Sequence, residues 1–406
     1  MKNLKLIFKE AVLSVIVLKL LVFSLMGLLH FFESLNPLEL AIKEIDFLDL
    51  YYNQEEKSNE PESMDVVFIN SGSIPDTSLT DFRNNFSNVL NSINKQSPAV
   101  IGIDIEFESK TDPLTDTNLK EALDSFPHLV LAEYGGKNAI TSDKATKADI
   151  SLIGDSAATK KYYQLKSHDT LSFALAVAKE FLKHDISVPS TPILIDYKYD
   201  YSHSIDWKKL NLHESSIPTI EASEILEKID DPSYLKRMNN FIKDKIVLIG
   251  HIGRDSIGNP YDIEDKHIVP ARHQNIICKV PSTSGIFIHA QVLEMLINDR
   301  LIYEFNGIWK GLLEFIILVL VALLFVYIAH HSIWYKPIVL PISFILIFVL
   351  IYFALLLRDM NIYWAVGGLN LQIVILIEAV EFYEPISIWL NKKLGIKTYF
   401  SHEKNH

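Results

Sequence analysis

"KIVLIGHIGRDSIGNP", residues 245–260, runs as an unbroken apolar segment into a turn that carries Gly250, Gly253 and Gly258. A strand buried on both faces reads as a continuous hydrophobic run, because helices cover both sides of a parallel sheet. Glycines at the end of such a strand expose backbone N–H groups, which can wrap an anion. A nucleotide-phosphate loop needs G-x-x-x-x-G-K-[ST], however, and Gly253 leads through Ile257 to Gly258-Asn259 with no Lys-Ser or Lys-Thr. The G-x-G-x-x-G fingerprint is absent too. The stretch therefore predicts a buried strand followed by a polar turn.

The pattern extends outward. "MDVVFIN" and "AVIGIDIEFE" are short β-branched runs, and between them "LTDFRNNFSNVLNSINKQ" has the apolar spacing of an amphipathic helix. Together they predict a βαβ unit. Strand "HLVLAEY", helix "TLSFALAVAKEFLKH", strand "TPILIDYKY", helix "IEASEILEKI", strand "DKIVLIG", strand "SGIFIHA" and helix "QVLEMLIND" continue it. The expectation is an α/β domain with a mostly parallel or mixed sheet, entered after the polar linker "YYNQEEKSNEPES" at 51–63.

The chain ends differ. Four apolar stretches, at about 11–31, 311–329, 337–357 and 362–380, approach the roughly 20 residues that cross a bilayer core. The first follows Lys2, Lys5 and Lys9 like a signal peptide, but it is long and lacks a small-x-small cleavage site, so it reads as an uncleaved anchor. Lys336 lies between the second and third stretches, and Lys392, Lys393 and Lys397 follow the fourth. Basic flanks stay in the cytoplasm. This predicts residues 1–32 as a cytoplasmic start and first span, 33–305 as an outside domain, 306–380 as three further spans, and 381–406 as a cytoplasmic tail. Residues 33–305 hold 43 acidic and 27 basic side chains, a net charge of −16, which argues against a nucleic-acid partner. One cysteine, Cys278, excludes an intrachain disulfide.

The order "VVFIN", helix with Arg83, "AVIGIDIEF", "TLSFALAVA", "DKIVLIGHIG", "DKHIVP" and "SGIFIHAQVLEMLINDRLI" resembles a CHASE2 domain. The resemblance implies an extracytoplasmic sensory module of a bacterial plasma-membrane receptor, held by one preceding and three following transmembrane helices. Relatives usually continue into a fused effector. A tail of about 25 residues is too short for one, so a separate cytoplasmic effector is expected as partner, with a homodimer possible. An envelope assembly protein that uses its acidic domain for docking is the alternative.

Candidate site residues follow from polar groups in apolar surroundings. Asp104 interrupts "IGIDIEF" and must be paired or hydrogen-bonded if buried, with Arg83 as its expected partner; contact with a ligand is the other reading. His289 is read as ending a strand. The segment 251–273 gathers His251, Asp255, Asp262, Glu264, Asp265, His267 and His273, without H-x-x-x-H or calcium-loop spacing. The expected ligand contacts are Arg83, Asp104, Asp265, His267 and His289, with no metal and no cofactor. No G-x-S-x-G or H-E-x-x-H marks an enzyme. Within the spans, Lys19 and Glu378 are candidates for a pair, since ionisable groups at depth are costly alone; snorkelling of both heads is the alternative.

Overall fold

The computed structural model describes residues 2–31, 65–134, 138–153, 160–167, 170–197, 205–206, 218–253, 265–269, 283–395 and 397–400. The linker at 51–63 and much of the polar segment 251–273, including Asp255, Asp262, Glu264 and His273, lie outside them, as does Cys278. The chain divides into two compact units, residues 51–302, and residues 1–50 with 303–406.

The first unit is built on a seven-stranded sheet: β1 (Val66–Asn70), β2 (Val100–Asp104), β3 (Leu129–Ala132), β4 (Thr146–Ala148), β5 (Ile205–Asp206), β6 (Pro218–Glu221) and β7 (Ile246–Gly250), in the order β4-β3-β2-β7-β1-β6-β5. All six pairings are parallel, so the sheet is not mixed. The predicted βαβ unit is present, but β7 lies between its two strands. The opening stretch is thus the central strand, buried at all five residues.

Both faces are covered by helices. Val67, Ile69, Ile101, Ile103, Val247 and Ile249 share one core with Phe86 and Leu90 of α2 (Leu79–Asn94), Leu119 and Leu123 of α3 (Pro113–Asp124), Ile225 of α5 (Ala222–Glu227), and Tyr234 and Met238 of α6 (Pro232–Ile242). The alternate residues face α4 (Phe173–Leu182) and α7 (Gly285–Ile297), where Phe68 meets Phe287 edge to face with ring centroids 4.8 Å apart. Helices α3 and α6 each start at Asp-Pro, with Asp112 and Asp231 accepting from the first-turn N–H groups and proline at the first helical position.

Two strand expectations are corrected. In "SGIFIHA" only Ser284 belongs to a strand, Thr283–Ser284, and α7 starts at Gly285. Residues 285–296 are all buried, and a helix apolar all round leaves no periodicity to tell it from a strand. Among the described residues of "TPILIDYKY" only Ile193–Leu194 is a strand, pairing antiparallel with Tyr162–Tyr163 outside the main sheet.

Gly102 is required by close packing. A Cβ there would come 2.8 Å from Phe173 Cζ, 2.9 Å from Leu248 Cδ2 and 3.0 Å from Val177 Cγ2. Gly102→Ala is expected to cost about 1–3 kcal/mol through overpacking. A lowered melting temperature that Phe173→Leu partly restores in the double variant would verify this; an unchanged melting temperature for the single variant would refute it.

The second unit packs α1 (Lys2–Phe31), α8 (Gly307–His331), α9 (Tyr335–Asp359) and α10 (Gly367–Leu394) around one apolar core. Helices α8 and α9 are each 25 residues long and apolar enough to cross a membrane. Phe344, Ile345, Phe348, Val349 and Tyr352 of α9, with Ile316 and Leu320 of α8, are exposed, an apolar surface that suits lipid rather than water. The candidate Lys19–Glu378 pair does not form. Lys19 bonds to Gln372 Oε1, while Glu378 takes Lys336 Nζ of α9 at 3.1 Å, with Glu381 2.9 Å from the same ammonium. Depth along each helix was legible in the sequence, but the facing residue depends on how the helices are offset. Lys9, Lys336 and Lys397 gather at one end of the unit, where Lys9 Nζ reaches Lys397 O and Tyr335 donates to Ile377 O.

Candidate functional site at the carboxyl edge of the sheet

Parallel strands end together, so their last residues form a row. Register places Glu221, Asn70, Gly250 and Asp104 side by side at the carboxyl ends of β6, β1, β7 and β2. The chain moves from β1 towards β2, β3 and β4 on one side, then returns through β5 and β6 on the other. In open α/β sheets the crevice outside the carboxyl ends, where the winding reverses, is where ligands bind.

Asn70 fixes one side of this edge. Its amide donates to Glu221 Oε2 and to Gly253 O, both at 2.8 Å, and its carbonyl accepts from Gly72 N–H and Ile252 N–H, both at 3.0 Å. The turn after β1 and the turn after β7 are thereby tied through one side chain. The signal was a polar residue closing an apolar strand, the same signal that drew attention to Asp104. Burial raises the Glu221 carboxyl above its usual range, against hydrogen bonds from Ser73 and Asn70.

Asp104 has different company. No hydrogen bond reaches its carboxyl among the described residues. Burial, then the nearby charges of Asp265 and Glu106, push it up to about 8, so it is largely protonated at neutral pH. Gly250 leaves room beside it: a Cβ there would meet Ile286 Cδ1 at 2.7 Å and Asp104 Cβ at 3.3 Å. Ile286 belongs to the first turn of α7, which therefore begins directly over this edge.

The start of α7 holds the remaining groups. Gly285 N–H donates to Asp265 O at 3.1 Å and to Asp265 Oδ2 at 3.3 Å, which puts a carboxylate at the positive end of a helix. His267 Nε2 lies 3.6 Å from Asp265 Oδ1. One turn further, His289 is 2% exposed and its Nδ1 is 2.6 Å from the Tyr163 hydroxyl. That phenol oxygen also accepts from Ala174 N–H at 3.4 Å. One proton is shared across the Tyr163–His289 contact. Burial lowers His289 to about 4, so the ring is neutral. His289 sits inside a helix rather than at the end of a strand, and no second hydrogen bond holds its Nε2 among the described residues.

Of the five expected contacts, the fold brings Asp104, Asp265, His267 and His289 into one neighbourhood and sets Arg83 apart. Arg83, 1% exposed, is not the partner of Asp104: its Nη1 bonds Asp116 Oδ1 at 2.6 Å and Thr111 Oγ1 at 3.0 Å, and its Nη2 bonds Ser109 O. Burial raises Asp116, but hydrogen bonds from Thr111 and Arg83 outweigh it and hold the carboxyl below its usual range. Among the described residues no group of three His, Cys, Asp or Glu side chains is placed to hold a metal ion.

The first unit is a parallel α/β domain with polar groups converging at its carboxyl edge, in a chain with helices apolar enough to cross a membrane. The CHASE2 domain family model matches residues 16–325, well over half of the chain, and the chain belongs to that family of extracellular sensory domains. Neither a curated protein nor a solved structure matches it.

Proposed function

We propose that this protein is a multi-pass membrane sensor whose outside domain binds a small molecule at the carboxyl edge of its sheet. Binding is read through four membrane-spanning helices by a separate cytoplasmic effector. The observation that carries the reading is Asp104, a carboxyl at the winding reversal with no hydrogen bond among the described residues. Asp104 is half-buried, and a ligand that donates a hydrogen bond to its carboxyl gains a contact that the described residues do not supply. With Asp265 beside it and a net charge of −16 over residues 33–305, the site favours a ligand that presents an amine or another hydrogen-bond donor. His289 Nε2 offers the ligand a second polar contact. In this reading α1, α8, α9 and α10 all span, with Lys9, Lys336 and Lys397 on the cytoplasmic side.

A ligand shifts an equilibrium only through its differential affinity for two arrangements. The test uses the full chain in lipid nanodiscs, with thermal unfolding followed against a panel of diamines, polyamines and amino acids. A stabilising amine whose effect Asp104→Asn abolishes supports the proposal, as does co-purification of a soluble protein that is lost when Lys392, Lys393 and Lys397 are changed to glutamate. No stabilisation by any amine, together with capture of an extracytoplasmic protein only, overturns it in favour of an envelope docking protein.

A further inference from the structure

The end of the helical unit that carries Lys9, Lys336 and Lys397 holds a buried carboxylate with no basic partner in hydrogen-bond contact among the described residues. Glu10 of α1 is 0% exposed. A carboxyl in that position needs hydrogen-bond partners, since burial without them is costly. They come from the far end of the chain. Tyr399 N–H donates to Glu10 Oε1 at 3.0 Å, and Ser387 Oγ of α10 donates to Oε2 at 3.2 Å and Oε1 at 3.3 Å. Tyr383, one turn earlier on α10, stands beside the same carboxyl.

The residues after α10 reach this carboxylate because the chain reverses. Gly395 has φ +65° and its N–H bonds Asn391 O, a left-handed helix end that only glycine takes without strain. Thr398, Tyr399 and Phe400 are then buried at 1%, 5% and 4% exposure. Thr398 Oγ1 approaches Ser387 O at 3.5 Å, and the Tyr399 ring packs on His330 of α8 with centroids 4.3 Å apart. A main-chain N–H, two aromatic side chains and a carboxylate from another helix make a recognition geometry for an extended peptide.

We propose that Glu10, His330, Tyr383 and Ser387 form a peptide-docking pocket, and that its occupant is this chain's own segment Thr398–Phe400, anchored by the Glu10 carboxylate. The anchor belongs to α1 and the Ser387 contact to α10, so the seat holds only while the two helices keep their mutual offset. A slide of α1 against α10 withdraws the acceptor from Tyr399 and frees the segment. This is the output end of the sensor reading above and rests on it for its purpose, but the seat itself is tested without any ligand.

The experiment measures maleimide labelling of single cysteines in the full chain, in nanodiscs and in a Cys278→Ser background. Thr398→Cys is expected to label at least ten-fold slower than Lys393→Cys, which is exposed. Adding Glu10→Ala is expected to bring Thr398→Cys to within about three-fold of that exposed rate. Ala379→Cys, buried in α10, reports on the bundle and should stay slow. Should it open too, Glu10→Gln with Ser387→Ala replaces Glu10→Ala under the same criterion. Labelling of Thr398→Cys as fast as Lys393→Cys overturns the proposal, and so does a rate that loss of the anchor leaves unchanged. Neither outcome depends on whether the outside domain binds an amine.

Discussion

Arg83→Ala is expected to destabilise the α/β domain by about 3–5 kcal/mol, the usual cost of removing one member of a buried charge pair, and to lower its melting temperature by about 10 °C. The guanidinium ties α2 to Ser109, Thr111 and Asp116 of one later segment, and lies 6.0 Å from the Phe107 ring centroid. Its loss leaves the Ser109 carbonyl and the Asp116 carboxylate without their cation at the junction of α2 and α3. Arg83→Lys should recover little, because a single ammonium cannot reproduce a planar fork that bonds several acceptors. Arg83→Met with Asp116→Leu should recover most of the loss, since an apolar pair leaves no uncompensated charge. Thermal unfolding of the full chain in nanodiscs checks the series; a loss below 1 kcal/mol for Arg83→Ala contradicts the account.

The second large effect is on pH dependence. Asp104 is raised from 3.8 to about 8 in the folded protein. Between these values the folded state holds a proton that the unfolded state has released, so stability falls as pH rises through the window. His289 is lowered from 6.5 to about 4. Between those values the unfolded state binds the extra proton, so stability rises with pH. The two slopes oppose each other from about pH 4 to 6.5, and above that only the Asp104 slope remains. At 1.36 kcal/mol per pH unit, up to roughly 2 kcal/mol is lost between pH 6.5 and 8, about 5 °C in melting temperature for a domain of this size. Asp104→Asn should flatten the curve in that interval and leave the low-pH limb carried by His289. A variant that keeps the wild-type slope from pH 6.5 to 8 rules out Asp104 as its source.

The two predictions separate roles that the sequence could not. Both Arg83 and Asp104 are charged residues inside apolar patterns, and pairing them was the economical expectation. The structure gives Arg83 a nearer carboxylate in α3, a helix announced only by Asp112-Pro113, and leaves Asp104 with Asp265 and the start of α7. Arg83 thus belongs to the framework and Asp104 to the candidate site. The same logic separates Lys19 from Glu378, each of which has its own partner on a helix whose offset no residue pattern reveals.

What the sequence alone determined was set by local physics. Continuous apolar runs such as "KIVLIG" pointed to a buried, mostly parallel or mixed sheet, amphipathic spacing placed α2, and the long apolar stretches marked α8 and α9. The row of residues resembling CHASE2 was also readable, and the family match agrees with it. What only the tertiary structure decided was adjacency. The insertion of β7 between β1 and β2 aligns Asn70, Gly250 and Asp104 at one edge, and the reversal at Gly395 carries Tyr399 back to Glu10. Strand order and chain reversal are fixed by packing between segments far apart in sequence. Periodicity reports which side of an element is buried, whereas the neighbour it is buried against depends on the whole fold.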